Sequence, residues 1–171
     1  MKTYAIFLRG INVGGHKKVP MAELRAALEN AEFKNAKTVR NSGNILIDSN
    51  QSIAAVNIGV SKLIVDTFGF EVSVMVRLCA DLKVLIKRNP FHNIPSETKS
   101  FITFLPTLVK SELPPKQPND FRIIANTGLE VLGVLNLNAA GTLDYMKYLE
   151  DLYGKNITTR TWKTVEKLAL L

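Results

Sequence analysis

The chain has one cysteine, Cys79, and two histidines, His16 and His92, among 171 residues. A lone cysteine forms neither an internal disulfide nor a cysteine-rich zinc site, and such scarcity points to a reducing compartment. Long apolar runs are also missing. The opening MKTYAIFLRGINVGG is apolar only from Tyr4 to Leu8, so it reads as neither a signal peptide nor a membrane span. The expected location is cytosolic, with no membrane partner. Zinc-ligand spacing, G-x-G-x-x-G, a nucleophile elbow and a metal-binding carboxylate cluster are all absent. The pattern therefore names no metal and no cofactor. Asn44-Ile45-Leu46-Ile47-Asp48 lacks the aromatics that an RNA-recognition sheet uses to stack bases, which argues against that readout.

What is present describes an ordered protein. Apolar residues make up 46% and charged ones 22%, which excludes disorder and low-complexity classes. The length suits one large domain or two small ones, able to bury about 70% of the unfolded surface. The net charge of +7 is uneven: residues 1–48 carry +4, 49–98 +1, 99–154 −1 and 155–171 +3. A basic excess at the two ends, at a pI near 9.6, favours anionic partners such as phosphorylated metabolites or nucleic acid, or simply solvates the surface.

Apolar periodicity gives the element order. Thr3–Leu8 reads as a central strand, and a helix begins at Pro20, with Met21, Leu24, Ala27 and Leu28 in helical spacing. Strands Lys37–Arg40 and Asn44–Ile47 flank Asn41-Ser42-Gly43, a hairpin signal. A helix Ile53–Phe68, stopped by Gly69, and a strand Val72–Leu78 complete βαββαβ, the ferredoxin-like pattern. After a connecting helix Asp81–Arg88 the scheme repeats. Strand Phe101–Leu105 leads to a short Pro-rich helix within Ser111–Pro118, then strands Phe121–Ala125 and Glu130–Leu137. Helix Leu143–Tyr153, strand Ile157–Arg160 and helix Trp162–Leu170 close the chain, with Thr161 as a cap. The expectation is an α+β fold of two similar ferredoxin-like subdomains with antiparallel sheets, residues 1–78 and 79–171.

In such a fold the third strand lies between the first two, which brings the end of strand one, the strand two–three hairpin and the first helix's N-terminus to one sheet edge. Here these places hold Arg9-Gly10-Ile11-Asn12-Val13-Gly14-Gly15-His16-Lys17-Lys18, then Arg40-Asn41-Ser42-Gly43-Asn44, then Pro20. Glycine-rich turns expose successive amides that attract anions, and Arg grips phosphate or carboxylate at two points. Arg9, Lys18 and Arg40 would supply charge, Gly14 and Gly15 backbone donors, and Asn12, Ser42 and Asn44 directional hydrogen bonds; Arg160 joins if its segment folds over this edge. In the plainer reading the glycines only turn the chain and the lysines only face water.

Gly10 and Gly15 have the spacing of the two glycines in G-x-x-x-x-G-K-[ST], but His16 stands in place of the Lys and Lys17 in place of the magnesium-binding hydroxyl. That rejects a nucleoside triphosphatase. An enzyme acting on a phosphorylated small molecule, with His16 as proton carrier, remains an alternative, as does a partner-binding structural protein. Cys79 reads as a small buried apolar group, Asn89-Pro90-Phe91 as a helix stop with an apolar anchor, and Trp162 as core.

Arg9-Gly10-Ile11-Asn12-Val13-Gly14-Gly15, with Lys18, Pro20-Met21, Glu23-Leu24, Ser42-Gly43-Asn44, Thr158-Thr159-Arg160, Trp162 and Thr164-Val165, resembles the bacterial family called domain of unknown function 1697. The resemblance implies two similar ferredoxin-like subdomains. No activity is established for the family, so no catalytic residue carries over. Asn41, where Gln is common, and Thr161 and Lys163 depart from its pattern by polar exchanges.

Overall fold

In the computed structural model, residues 1–95, 97–118, 120–136 and 142–171 are described. They form β1 (Lys2–Leu8), α1 (Met21–Asn30), β2 (Lys34–Val39), β3 (Asn44–Ser49), α2 (Ile53–Phe68), β4 (Val74–Leu78), α3 (Cys79–Lys87), β5 (Thr98–Phe104), β6 (Phe121–Asn126), β7 (Glu130–Asn136), α4 (Thr142–Tyr153), β8 (Thr158–Thr161) and α5 (Trp162–Ala169). Two compact units result: Met1–Lys87 with Leu168–Leu171, and Arg88–Lys167. Leu137, expected at the end of a strand, lies outside the described residues.

The first unit is a four-stranded sheet in the order β2-β3-β1-β4, every neighbouring pair antiparallel. Alternation along β1 and β3 sends Tyr4, Ile6, Leu8, Ile45 and Ile47 to one face. There they meet Leu24 and Leu28 of α1 and Val56, Val60, Leu63 and Ile64 of α2, all buried. Each such aliphatic contributes about 1.5–3 kcal/mol by leaving water. The bounds of α2 follow from local chemistry. The Ser52 hydroxyl accepts from the Ala55 amide at 3.2 Å, and Gly69 closes the helix in the left-handed region at φ 76°. Pro20 is the residue before α1 rather than its first turn, extended at ψ 127°, and no side chain caps that end.

The second unit repeats the order as β6-β7-β5-β8, again antiparallel. One expected element is missing. No helix lies within Ser111–Pro118; Pro114, Pro115 and Pro118 remove amides and clash with a preceding helical turn. The segment is instead irregular, with a bend at Pro115 and Lys116, and is tied to its surroundings. Val109 N donates to Gly128 O at 2.9 Å, Asn126 Nδ2 to Lys110 O at 3.1 Å and Glu112 O at 3.0 Å, and Tyr148 Oη to Lys116 O at 2.8 Å. On the sheet, Tyr145 of α4 packs against Phe101 and Phe121 with ring centroids 5.6 and 5.0 Å away. Gly133 makes room for it, since a Cβ there would come within 2.1 Å of the Tyr145 hydroxyl. Phe91 anchors on the buried Trp162 edge-on at 4.9 Å, so that indole belongs to the core.

Candidate functional site

The first unit brings the two glycine-containing loops together. Phe7 pairs with Asn44, so β1 ends where β3 begins, and Leu8 N donates to Gly43 O at 2.8 Å. Gly43 sits beneath the departing chain. A Cβ on it would meet Leu8 Cβ at 2.8 Å and Ile11 Cδ1 at 2.9 Å, and its φ is +74°. Only glycine fits both the space and the dihedral.

Asn12 fastens the contact. Its Nδ2 donates to Val19 O at 3.0 Å and Asn41 O at 2.8 Å, while its Oδ1 accepts from Val19 N at 2.8 Å. One side chain thus clasps both ends of its own loop and the neighbouring hairpin. Beyond it the loop is a small finger: Asn12 N donates to Lys17 O at 3.1 Å, Val13 bridges His16, and His16 N donates to Val13 O at 3.3 Å. Gly14 and Gly15 form its tip with φ of +61° and +78°, the two successive positive values of a type I′ turn. The amides of Asn12 and His16 are therefore used inside the finger. Those of Gly14 and Gly15 meet no acceptor among the described residues and are exposed.

The charged residues divide. Lys17 turns aside: its Nζ donates to Glu71 O at 2.6 Å and lies 5.9 Å from the centre of the Phe70 ring. Lys18, His16 and Arg40 are exposed, and Arg9 is half-buried, its amide donating to Ser73 O at 3.0 Å. Arg40 sits at φ +59°, a left-handed conformation that costs a residue with a Cβ about 1–2 kcal/mol. Asn44 is fully buried, and its amide donates to Val39 O at 2.8 Å and Ser42 Oγ at 3.0 Å, so it braces the turn. The N-terminus of α1 already holds an acidic residue, Glu23, in its first turn.

Arg160 belongs to the second unit, on β8 opposite Ile102. It donates from Nη1 to Thr158 Oγ1 at 2.8 Å and Thr159 O at 2.9 Å, and burial lowers its pKa to about 10, so it stays charged at neutral pH. Cys79 is buried, and desolvation raises its thiol pKa. No group of three or more His, Cys, Asp or Glu residues that could hold a metal occurs among the described residues. No helix among them is long and apolar enough to cross a membrane.

A second polar cluster went unnoticed in the sequence. Thr3 Oγ1 and Asn35 Nδ2 each donate to Asp48 at 2.7 Å, one to each carboxylate oxygen. The hydrogen bond from Asn35, then that from Thr3, holds this carboxyl below its ordinary pKa. The available signal was the register: Thr3 lies opposite Asp48 once β1 is paired with β3.

The sequence model for proteins of unknown function DUF1697 matches residues 1–121. Among solved structures, a conserved bacterial protein, SP0830 from Streptococcus pneumoniae, is 25% identical with a TM-score of 0.70, the match covering 99% of this chain and 97% of that one. No curated protein matches the sequence.

Proposed function

We propose, from the premise that the chain belongs to the DUF1697 family of proteins of unknown function, that it binds a phosphate-bearing ligand on the sheet edge shared by the finger and the β2–β3 hairpin. The ligand is a small phosphorylated molecule or the phosphodiester backbone of a nucleic acid. Gly14 and Gly15 offer amides, Lys18 and Arg40 offer mobile charge, and Arg9 and Ser42 border them. Asn12 and Asn44 act as scaffold. The observation that carries this reading is the Asn12 clasp, which holds an exposed basic finger with two open amides against an Arg-bearing turn.

Charge-assisted hydrogen bonds contribute about 1.5–3 kcal/mol each, and less where the groups are exposed to solvent as they are on this edge. Titration of inorganic phosphate, pyrophosphate, a mononucleotide and a single-stranded oligonucleotide, each at low and high salt, tests the reading. Saturable binding that weakens with salt is expected, and preference among the probes separates small ligand from polymer. Absence of binding to all four, or affinity indifferent to ionic strength, overturns it.

A further inference from the structure

We propose that the solvent face of α2 is the interface of a weak two-fold dimer, in which α2 of one chain packs antiparallel against α2 of a second copy. None of the residues involved belongs to the phosphate site.

The helix is apolar on two sides. Val56, Val60, Leu63 and Ile64 face the core and are buried. On the outer side Ile58 is 69% and Val65 40% exposed, and with the half-buried Ser61 and Phe68 they fall at i, i+3, i+7 and i+10. That spacing draws one narrow seam along a helix, the pattern by which two helices interlock. α1, which covers the same face of the sheet, is dressed for water instead, with Glu23, Arg25, Glu29 and Asn30 exposed. The only charged residues in α2 are Lys62 and Asp66, which pair with each other at 2.5 Å.

Size and charge select a second copy as the occupant. A two-fold axis beside residues 63 and 64 sets Ile58 opposite Phe68 of the second copy and Ser61 opposite Val65 of the second copy, so the seam meets itself in register. The same register brings Lys62 beside Asp66 of the second copy on both sides of the axis. Each intrahelical pair then joins a neutral cluster of two ammonium groups and two carboxylates. A chain of net charge +7 repels its own copies, and does so least through a face whose charges cancel. The area sets the strength. At 1.5 Å per residue α2 is about 24 Å long, and one such helix pair buries less than the roughly 800 Å² per partner of a standard interface. The expected dissociation constant is therefore on the order of 100 µM, in the weak and reversible class.

Sedimentation velocity of the full chain from about 5 to 500 µM tests this, with a reversible monomer–dimer equilibrium as the expected result. Ile58→Asp changes a side chain that already faces water, and should weaken the dimer about tenfold or more. Lys62→Glu and Asp66→Lys should each weaken it, and the two together should restore it. Under mild oxidation, chains carrying Ser61→Cys should join chains carrying Val65→Cys faster than either joins its own kind, because the antiparallel register opposes these two positions. A chain that stays monomeric throughout, a dimer indifferent to Ile58→Asp, a charge swap no stronger than its single changes, or faster joining of like chains overturns the proposal, whatever the outcome at the finger.

Discussion

The two units share one strand order and differ in how the chain travels from the first strand to the second. In the first it leaves β1 through a basic finger and returns along α1. In the second it leaves β5 through a Pro-rich irregular segment without a helix. The hairpin beneath that departure is nevertheless built the same way in both. Leu8 N donates to Gly43 O, and Leu105 N donates to Leu129 O at 2.9 Å. Gly43 lies under Ile11. Gly128, at φ +93°, lies under Leu108 and Val109, 2.8 and 2.9 Å from where its Cβ would be. Strand pairing over a glycine-floored hairpin is thus common to both sheets, while the crossover above it differs in length and composition between the units.

The largest effect should come from breaking that shared floor. Gly43→Ala and Gly128→Ala each combine a forbidden dihedral with a backbone or core clash and should each cost about 3 kcal/mol in chemical denaturation. A large loss at one and none at the other would show that the two hairpins are not equivalent.

Next is a feature of the second sheet alone. Gly133→Ala drives a methyl into the Tyr145 hydroxyl, and should cost about 2 kcal/mol. Adding Tyr145→Phe, which removes a buried hydroxyl without a hydrogen-bond partner among the described residues, should restore most of it. An uncoupled double mutant would mean that the tyrosine does not need this glycine.

The two crossovers are also pinned differently. Asn12→Ala removes three hydrogen bonds across the finger and should cost about 2 kcal/mol together with phosphate binding. Gln117→Ala removes the pair that its side chain makes with the main chain of Ile123, at 2.5 Å to N and 3.3 Å to O. It should cost about 1 kcal/mol and leave binding untouched. Equal effects on binding would detach the site from the finger.

The smallest change in stability is the most informative about function. Arg40→Gly relieves the left-handed strain and should leave stability equal or raise it by up to about 1 kcal/mol while weakening phosphate binding about tenfold. A turn that serves only architecture would gain stability and lose nothing.

Much of this was legible in the residues. Ser52 and Gly69 bracket a 3.6-residue stripe, so the expected and observed bounds of α2 coincide at Ile53–Phe68. Alternation found the strands, and Asn41-Ser42-Gly43 marked the hairpin. What escaped needed information that local pattern does not carry. Lys34 and Asn35 look like loop residues because a bulge disrupts their alternation, so β2 was expected to start at Lys37. The helix expected within Ser111–Pro118 followed from symmetry with the first half, but three prolines outweighed it. At the finger, Asn12 and Asn44 read as candidate ligand contacts; the structure ties the Asn12 amide to Val19 O and Asn41 O and the Asn44 amide to Val39 O and Ser42 Oγ, pairings that local pattern does not carry. The polar cluster at Asp48 depended on Thr3 and Asn35, residues distant in sequence that only strand pairing brings together.

The most direct test is a pyrophosphate titration of the unmodified chain and of Arg40→Gly across a series of salt concentrations. The account predicts affinity that falls as salt rises, and falls less steeply once Arg40 is removed. Identical curves for the two proteins, or no saturable binding by either, would contradict it.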